Sequence, residues 1–566
     1  MKMKCVVICL LLLIPRCAGP GDEPEFQPRP ITVYSHQSST AMVISMGGDD
    51  PAQAGLNVMQ GGGNALDAVL ASAMTHIVKT IGVAVSFGGT MSLVYYDAAS
   101  GQVHSLNAPF KIPIRETNPL TIPYRNSGRT ALVPGFLGGV IAAHDRLGRM
   151  DRSGIFASAI DLAENGFVLP AWQADMIREN YPILSRLPGT SRVFTKPDGS
   201  LYEEGDLFTQ PDLAETLRHV VRFGFGYIYR GDWASEFVTV VGNDGGYAGM
   251  DDMMSYEVSW NDAVHTPFHG HEIYSIGLPA PGGVGLVEAF NIIGCSDLAT
   301  LQPYTDSAEG LYQMIKVVRV GPLYRNFPNA AMVAEAMFPG LDFSQQARLT
   351  MASARHTWSK ILSGEWSEVE LRASGRIASR RSPHTSAEIA VDAEGNVAAL
   401  VHTINTAGWG QTGIFVGGIS ISDIGGHAQH AMQFEGPGGY HHDDICPGMV
   451  LASGRPVLVF GSAGYGLHAD SVQNVYNVLA YGDTPAESLS KHKVLHAAWW
   501  GDRPTIPQYI LSGSFSDRLL DQVRDLGQPL IITNDPGQHW AGIAIDDSAA
   551  GSRLHGATTY GGLAGY

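Results

Sequence analysis

On either side of Asp392-Ala-Glu-Gly395-Asn396, apolar residues take every second position: Ile389 and Val391 before it, Val397, Ala399 and Val401 after it. Side chains in a strand point alternately to its two faces, so this pattern predicts a β-hairpin with a buried face, closed by the turn-forming residues between. A second alternating pair, residues 91–96 and 103–106, predicts another hairpin. The period changes over residues 65–80, where Leu66, Val69, Leu70, Ala73 and Ile77 fall on one stripe at helical spacing. Asn64, at the end of Gly61-Gly-Gly-Asn64, is placed to cap that helix. The run is apolar on most sides, which predicts a buried helix. Val457-Leu-Val-Phe460 is an apolar strand that runs into a glycine-rich turn, Gly461-Ser-Ala-Gly464-Tyr465-Gly466.

Composition adds limits. A chain of 566 residues, 45% hydrophobic and only 16% charged, is long enough for more than one compact unit around several hundred residues of packed core. A net charge of −18 with no basic cluster excludes nucleic acid as a partner, because phosphate binding needs concentrated Lys and Arg. Met1-Lys-Met-Lys4 followed by the apolar residues 5–14 is the pattern of a signal peptide, ending near residue 21. It is too short to span a bilayer, so the expectation is a secreted or periplasmic protein with no stable membrane span after signal removal. Cys5, Cys9 and Cys17 lie in this leader. Cys295 and Cys446 remain; one disulfide between them is open, but distant cysteines in a large chain are more often unpaired core residues.

Thr385 begins the first strand of the 385–405 hairpin, just after Ser374-Gly-Arg-Ile-Ala-Ser-Arg-Arg-Ser-Pro383, a polar run with the composition of an exposed, cleavable loop. If the His384–Thr385 bond is cut, the new α-amine can activate the residue's own hydroxyl, so that one residue is nucleophile and base. An ordinary strand after a loop is the other reading.

The spacing resembles the start of the small subunit of the γ-glutamyltranspeptidase family, which reads Thr-Thr-His-aromatic-Ser-x-x-Asp, then Asp-Gly-Asn, then Thr-Leu-Asn. Here the same register gives Thr385-Ser-Ala-Glu-Ile-Ala-Val-Asp392, Glu394-Gly395-Asn396 and Thr403-Ile-Asn405 without a gap. The likeness extends to Gly61-Gly-Gly-Asn64 and its helix, Val133-Pro-Gly135, Gln210-Pro-Asp212, Pro279-Ala-Pro-Gly-Gly283 and Gly565-Tyr566, and is weakest between about 304 and 382. It implies an α/β (α+β) chain with the four-layer αββα N-terminal-nucleophile hydrolase fold, self-cleaved into a large subunit, 22–384, and a small subunit, 385–566. It further implies that Thr385 is the nucleophile, that the Thr403 hydroxyl contacts it, that Asn405 helps hold the substrate, and that the amides of Gly464 and Tyr465 form the oxyanion hole. The family needs no cofactor.

Recognition is where the resemblance departs. The family's carboxylate-binding arginine falls on Asn107, which has no guanidinium fork; Lys111, four residues on, is a partial substitute. A serine pair becomes Asp443-Asp444, two carboxylates that would repel a substrate carboxylate and favour a cation or a hydroxyl-rich group. The amine-binding segment is unrecognisable around Ser422-Asp423-Ile-Gly-Gly-His427. His441-His442-Asp443-Asp444 reads as a solvated loop rather than a metal cluster, since contiguous residues rarely wrap one ion, and no metal is expected. Arg230-Gly-Asp232 reads as a helix start, not an adhesion tripeptide. The function expected is amide hydrolysis or acyl transfer through an acyl-Thr385 ester, on a small-molecule amide or γ-glutamyl-like substrate that is not glutathione. Authentic glutathione hydrolysis, a biosynthetic tailoring activity and a silent binding protein stay open as alternatives.

Overall fold

The computed structural model describes residues 31–326, 342–364, 385–406, 408–464, 467–491, 493–497, 507–535, 537–548 and 551–566. The leader, the polar run 374–383, His384 and Tyr465 lie outside them.

The strands that build the core are β1 (Tyr34–Ser38), β2 (Met42–Ser45), β3 (Thr90–Asp97), β4 (Gln102–Ala108), β5 (Ser259–Asp262), β6 (Val264–Phe268) and β7 (His271–Ser275). They continue with β8 (Thr385–Val391), β9 (Val397–Thr403), β10 (Gly448–Ala452), β11 (Arg455–Gly464), β12 (Gln538–Ser548), β13 (Gly551–Thr558) and β14 (Gly562–Gly565). They form two seven-stranded sheets, ordered β14-β2-β8-β9-β3-β4-β5 and β1-β13-β12-β11-β10-β7-β6. Every neighbouring pair is antiparallel. Helices α1 (Asp49–Gln60) and α2 (Ala65–Lys79) cover the first sheet, while α3 (Pro281–Ile293) and α4 (Leu467–Tyr481) cover the second. The result is a four-layer αββα sandwich, the architecture that the resemblance implies.

The expected 385–405 hairpin is the centre of the first sheet, and its alternation sorts side chains between two cores. Ala387, Ile389, Val391, Val397, Ala399 and Val401 face the second sheet. Ala390, Ala398 and Leu400 face α2 instead. The predicted 91–96/103–106 pair is β3 and β4, longer at both ends because polar residues such as Thr90 and Gln102 still join the backbone ladder. The helix predicted over 65–80 is α2, and the Asn64 carbonyl oxygen Oδ1 accepts from Asp67 N–H while the Asp67 carboxylate accepts from Asn64 N–H. Ala65 N–H donates to Asp392 Oδ2 at 2.9 Å, which pins the start of α2 to the hairpin turn. Asp232 opens a helix, Asp232–Asn243, with Gly231 at its cap. Cys295 and Cys446 are not bonded to each other. Among the described residues, no helix is long and apolar enough to cross a membrane.

The two sheets approach closely where β11 crosses the hairpin. A methyl group on Gly461 would stand 2.7 Å from Ala387 Cβ, well inside contact distance. Gly461→Ala is therefore expected to lower stability by roughly 1–3 kcal/mol through overpacking. Adding Ala387→Gly should recover most of the lost urea midpoint. An unchanged midpoint in the single variant would show that the sheets separate freely at this crossing.

Candidate active site

Thr385 and Thr403 are cross-strand partners at the open end of the hairpin. Both point between the sheets, in register with Ala387 and Val401. The Thr385 hydroxyl donates to Thr403 Oγ1 at 3.3 Å, and Asn405 N–H donates to the same oxygen at 2.8 Å. Asn405 holds a left-handed backbone, φ 54°, in the bend that brings its amide back to Thr403. Behind that bend Gly89 lies so near that a Cβ would be 2.5 Å from the Thr403 carbonyl oxygen. Thr403 is fully buried, whereas Thr385 is half-buried and reachable. A strand end with a partly accessible hydroxyl, held by a buried hydroxyl that an amide fixes in turn, is a geometry that presents an oxygen nucleophile.

On the facing sheet, β11 ends at Gly464, whose φ of 93° favours glycine, and α4 begins three residues later. Ser462 Oγ donates to the Leu467 carbonyl at 2.8 Å and lies 3.0 Å from Ser471 Oγ, so the turn is tied to the helix it leads into. The N-terminus of α4, the positive end of its dipole, lies at this end of the sandwich.

Asn107 shares the inter-sheet face with Thr403, level with Val401 two residues along and two strands away. Its amide is engaged: Nδ2 donates to the Gly277 carbonyl at 3.2 Å, and Oδ1 accepts from Ser92 Oγ at 2.7 Å. Lys111 turns elsewhere. Its ammonium donates to the Ser255 carbonyl and hydroxyl at 2.7 and 3.0 Å and sits 5.3 Å from the Tyr440 ring centre.

The segment 441–444 is not the solvated loop expected from its composition. His441 and Asp443 are buried, and only His442 and Asp444 are half-exposed. Burial opposes charge on His441, but the Glu435 carboxylate at 3.1 Å outweighs it and raises the imidazole's pKa, so His441 has an acid partner of its own. His442 is pushed down to about 4 by burial and by His441 beside it. The chain then enters β10 at Gly448, opposite Phe460 of β11, so residues 443–447 extend toward the end of the sheet where Gly464 lies. The charge of Asp444 acts on His468 in the first turn of α4 and, with Asp443, on Cys446. Burial and those carboxylates push the Cys446 thiol up to about 12, which removes it as a nucleophile.

Sequence reasoning missed two groups. Asp423 is buried beside Thr406, with its carboxyl 3.4 Å from His427 Nε2; burial raises its pKa. His76, Glu388 and His402 converge on the opposite face of β8 and β9 from the two threonines. Glu388 was a visible signal, since it occupies the aromatic position of the motif that begins at Thr385.

The sequence matches the gamma-glutamyltranspeptidase family over residues 51–560. The glutathione hydrolase-like YwrD proenzyme of Bacillus subtilis is 23% identical over 498 residues, covering 85% of this chain and 90% of that protein. The acylase ACY 1 proenzyme of Pseudomonas sp. strain SE83 is 24% identical over 474 residues, covering 78% and 80%. In structure, the chain resembles the cephalosporin acylase of Bacillus halodurans with a TM-score of 0.73 at 19% identity, over 96% of this chain and 99% of that one.

Proposed function

Because the chain belongs to the γ-glutamyltranspeptidase family, we propose that it is a self-cleaving amide hydrolase or acyltransferase that works through an acyl ester on Thr385. The observation that carries this is the 3.3 Å contact between the Thr385 and Thr403 hydroxyls at the head of the central hairpin. In processing, Thr385 Oγ attacks the carbonyl carbon of His384, the amide becomes an ester, and water opens it. This leaves a large subunit, 22–384, and a small subunit, 385–566, that remain interleaved because β2 and β3 of one flank β8 and β9 of the other.

In turnover, the freed α-amine takes the proton of the Thr385 hydroxyl, whose oxygen attacks the substrate amide carbonyl. Thr403 and Asn405 hold the nucleophile's surroundings in place, with Asn405 also bordering the acyl group. The N–H groups of Gly464 and Tyr465 receive the developing oxyanion. Collapse of the tetrahedral intermediate expels the amine with the transferred proton, and water or a second amine then takes the acyl group from Thr385. The leader supports export to the periplasm or the medium.

The substrate inferred is a small amide other than glutathione. Asp443 and Asp444 replace neutral donors with acceptor-only carboxylates, a wall suited to an amine or a polyhydroxylated acyl group. The test is a panel of amides with cationic, neutral and anionic acyl groups, assayed with the processed protein and with the double variant Asp443→Ser, Asp444→Ser. The wild type should prefer the cationic or hydroxyl-rich members, and the variant should lose that preference by about tenfold or more, the effect of one charge-assisted hydrogen bond. Equal relative rates in the two proteins would overturn the assignment of the pair. Turnover of no amide by a correctly processed chain would overturn the function itself. The names of the relatives favour one second reading, glutathione hydrolysis with remodelled contacts, and glutathione belongs in the panel for that reason.

A further inference from the structure

We propose that His76, Glu388 and His402 bind one divalent transition-metal ion of the zinc class, which clamps α2 to the back of the nucleophile hairpin.

The three ligands come from three elements, α2, β8 and β9. They are almost fully enclosed, at 6%, 0% and 0% exposure. One donor atom of each lies within 4.8 Å of the others. His76 Nδ1 stands 3.2 Å from Glu388 Oε1, and His402 Nε2 stands 3.3 Å from that same oxygen. A tetrahedral ion with bonds of about 2.0–2.1 Å separates neighbouring ligand atoms by roughly 3.3 Å, so both spacings match edges of such a site. Two imidazoles and a carboxylate are a donor set that suits zinc.

Charge and packing favour a cation over hydrogen bonds alone. Among the described residues, the basic groups in ion-pair contact with Glu388 are these two histidines, with no Lys or Arg. A carboxylate removed from water at this depth is costly unless an opposite charge and hydrogen bonds offset the loss. The hydrogen bonds are present: Ser386 Oγ donates to Oε1 at 2.8 Å and Ser72 Oγ to Oε2 at 3.2 Å. Either hydroxyl, or a water, would complete four-fold coordination. The rings are also held. His402 lies 5.2 Å, centroid to centroid, from Phe136, and Gly47 gives His76 room that a Cβ, 2.3 Å from His76 Cγ, would take away.

The site faces away from Thr385 and Thr403, yet Ser386 and His402 are their immediate neighbours in sequence. The start of α2 is pinned at Asp392 and its later turns at Glu388, so the ion would fix the hairpin end that carries the two threonines. The role inferred is structural, since the enclosed ligands offer a substrate no access.

The test uses the protein as purified, cleaved or not, dialysed against Zn²⁺ and then against metal-free buffer, with metal measured by plasma mass spectrometry. About one ion per chain should remain, and a strong chelator should lower the melting temperature reversibly, with recovery on adding Zn²⁺. Co²⁺ in its place should give the intense visible bands of a tetrahedral site. Glu388→Gln and, separately, His402→Gln should lose the ion, while His441→Ala should keep it. Less than about a tenth of an ion per chain, with no change in melting temperature on chelation, would overturn the proposal and leave a hydrogen-bonded polar cluster. Retention of the ion in both variants would place it elsewhere and overturn the proposal equally. If the variants do not fold, the chelator and Co²⁺ measurements on the wild type still decide. Absence of amide turnover would leave these readouts unaffected.

Discussion

Thr385→Ala is expected to migrate as one chain on a denaturing gel, where the wild type is expected to separate into a large and a small subunit. The reason is local. Thr385 is the strand-head residue whose hydroxyl is both half-accessible and oriented, 3.3 Å from Thr403 Oγ1, and alanine removes the only atom at that position able to attack the preceding carbonyl. Fold should be retained, because the side chain lost is small and lies at the accessible end of β8, while the core contacts of β8 begin at Ala387. Amide turnover should fall by about a thousandfold or more, since removal of a covalent nucleophile leaves only binding and oxyanion contributions. Thr385→Ser should process more slowly but still yield two chains, because the hydroxyl remains. Cleavage of the alanine variant at the same bond would assign processing to another protease. Intact mass and N-terminal sequencing of the small subunit read the outcome directly.

The sequence made the hairpin, the buried helix and the strand–glycine turn legible because each depends on a local period or a cap. Residues 389–401 alternate whatever lies above and below them, and Asn64 caps α2 through its own Asp67. What period alone conceals is that both faces of the sheet are covered. In an isolated alternating strand, Ser386 and Glu388 occupy the side that would meet water. In a four-layer sandwich that side meets α2, so these polar residues become an enclosed cluster with His76 and His402. The same limitation applies to Asp443, polar and set among histidines, which the entry of the chain into β10 draws inside. Lys111 was legible as a cation near Asn107, but the strand's alternation does not reveal that its ammonium is taken by Ser255. Identity of a residue sets what it can bind, whereas the layer it faces sets what it meets.

Glutathione should accordingly be a poor substrate, and the expected deficit follows from two positions. At Asn107 the guanidinium of the family pattern is missing, and the amide that stands there is already bonded to Ser92 and Gly277. Each charge-assisted hydrogen bond lost to the γ-glutamyl α-carboxylate removes about 1.5–3 kcal/mol of binding, or roughly tenfold to a hundredfold in kcat/KM if it persists in the transition state. On the proposed assignment of Asp443 and Asp444 to the acyl site, carboxylates in place of hydroxyls should add repulsion to that loss. Against the best cationic or polyhydroxylated amide, glutathione and γ-glutamyl anilides should therefore fall short by about a hundredfold or more in kcat/KM. Asn107→Arg combined with Asp443→Ser and Asp444→Ser should narrow that gap from the glutathione side, because the triple change restores a fork and removes the repulsion. Steady-state rates across the two substrate classes, wild type beside the triple variant, measure this. Wild-type turnover of glutathione with kcat/KM in the ordinary enzyme range of about 10⁴ M⁻¹ s⁻¹ or above would reject it, and would show that the α-carboxylate is held by groups other than those at 107, 443 and 444.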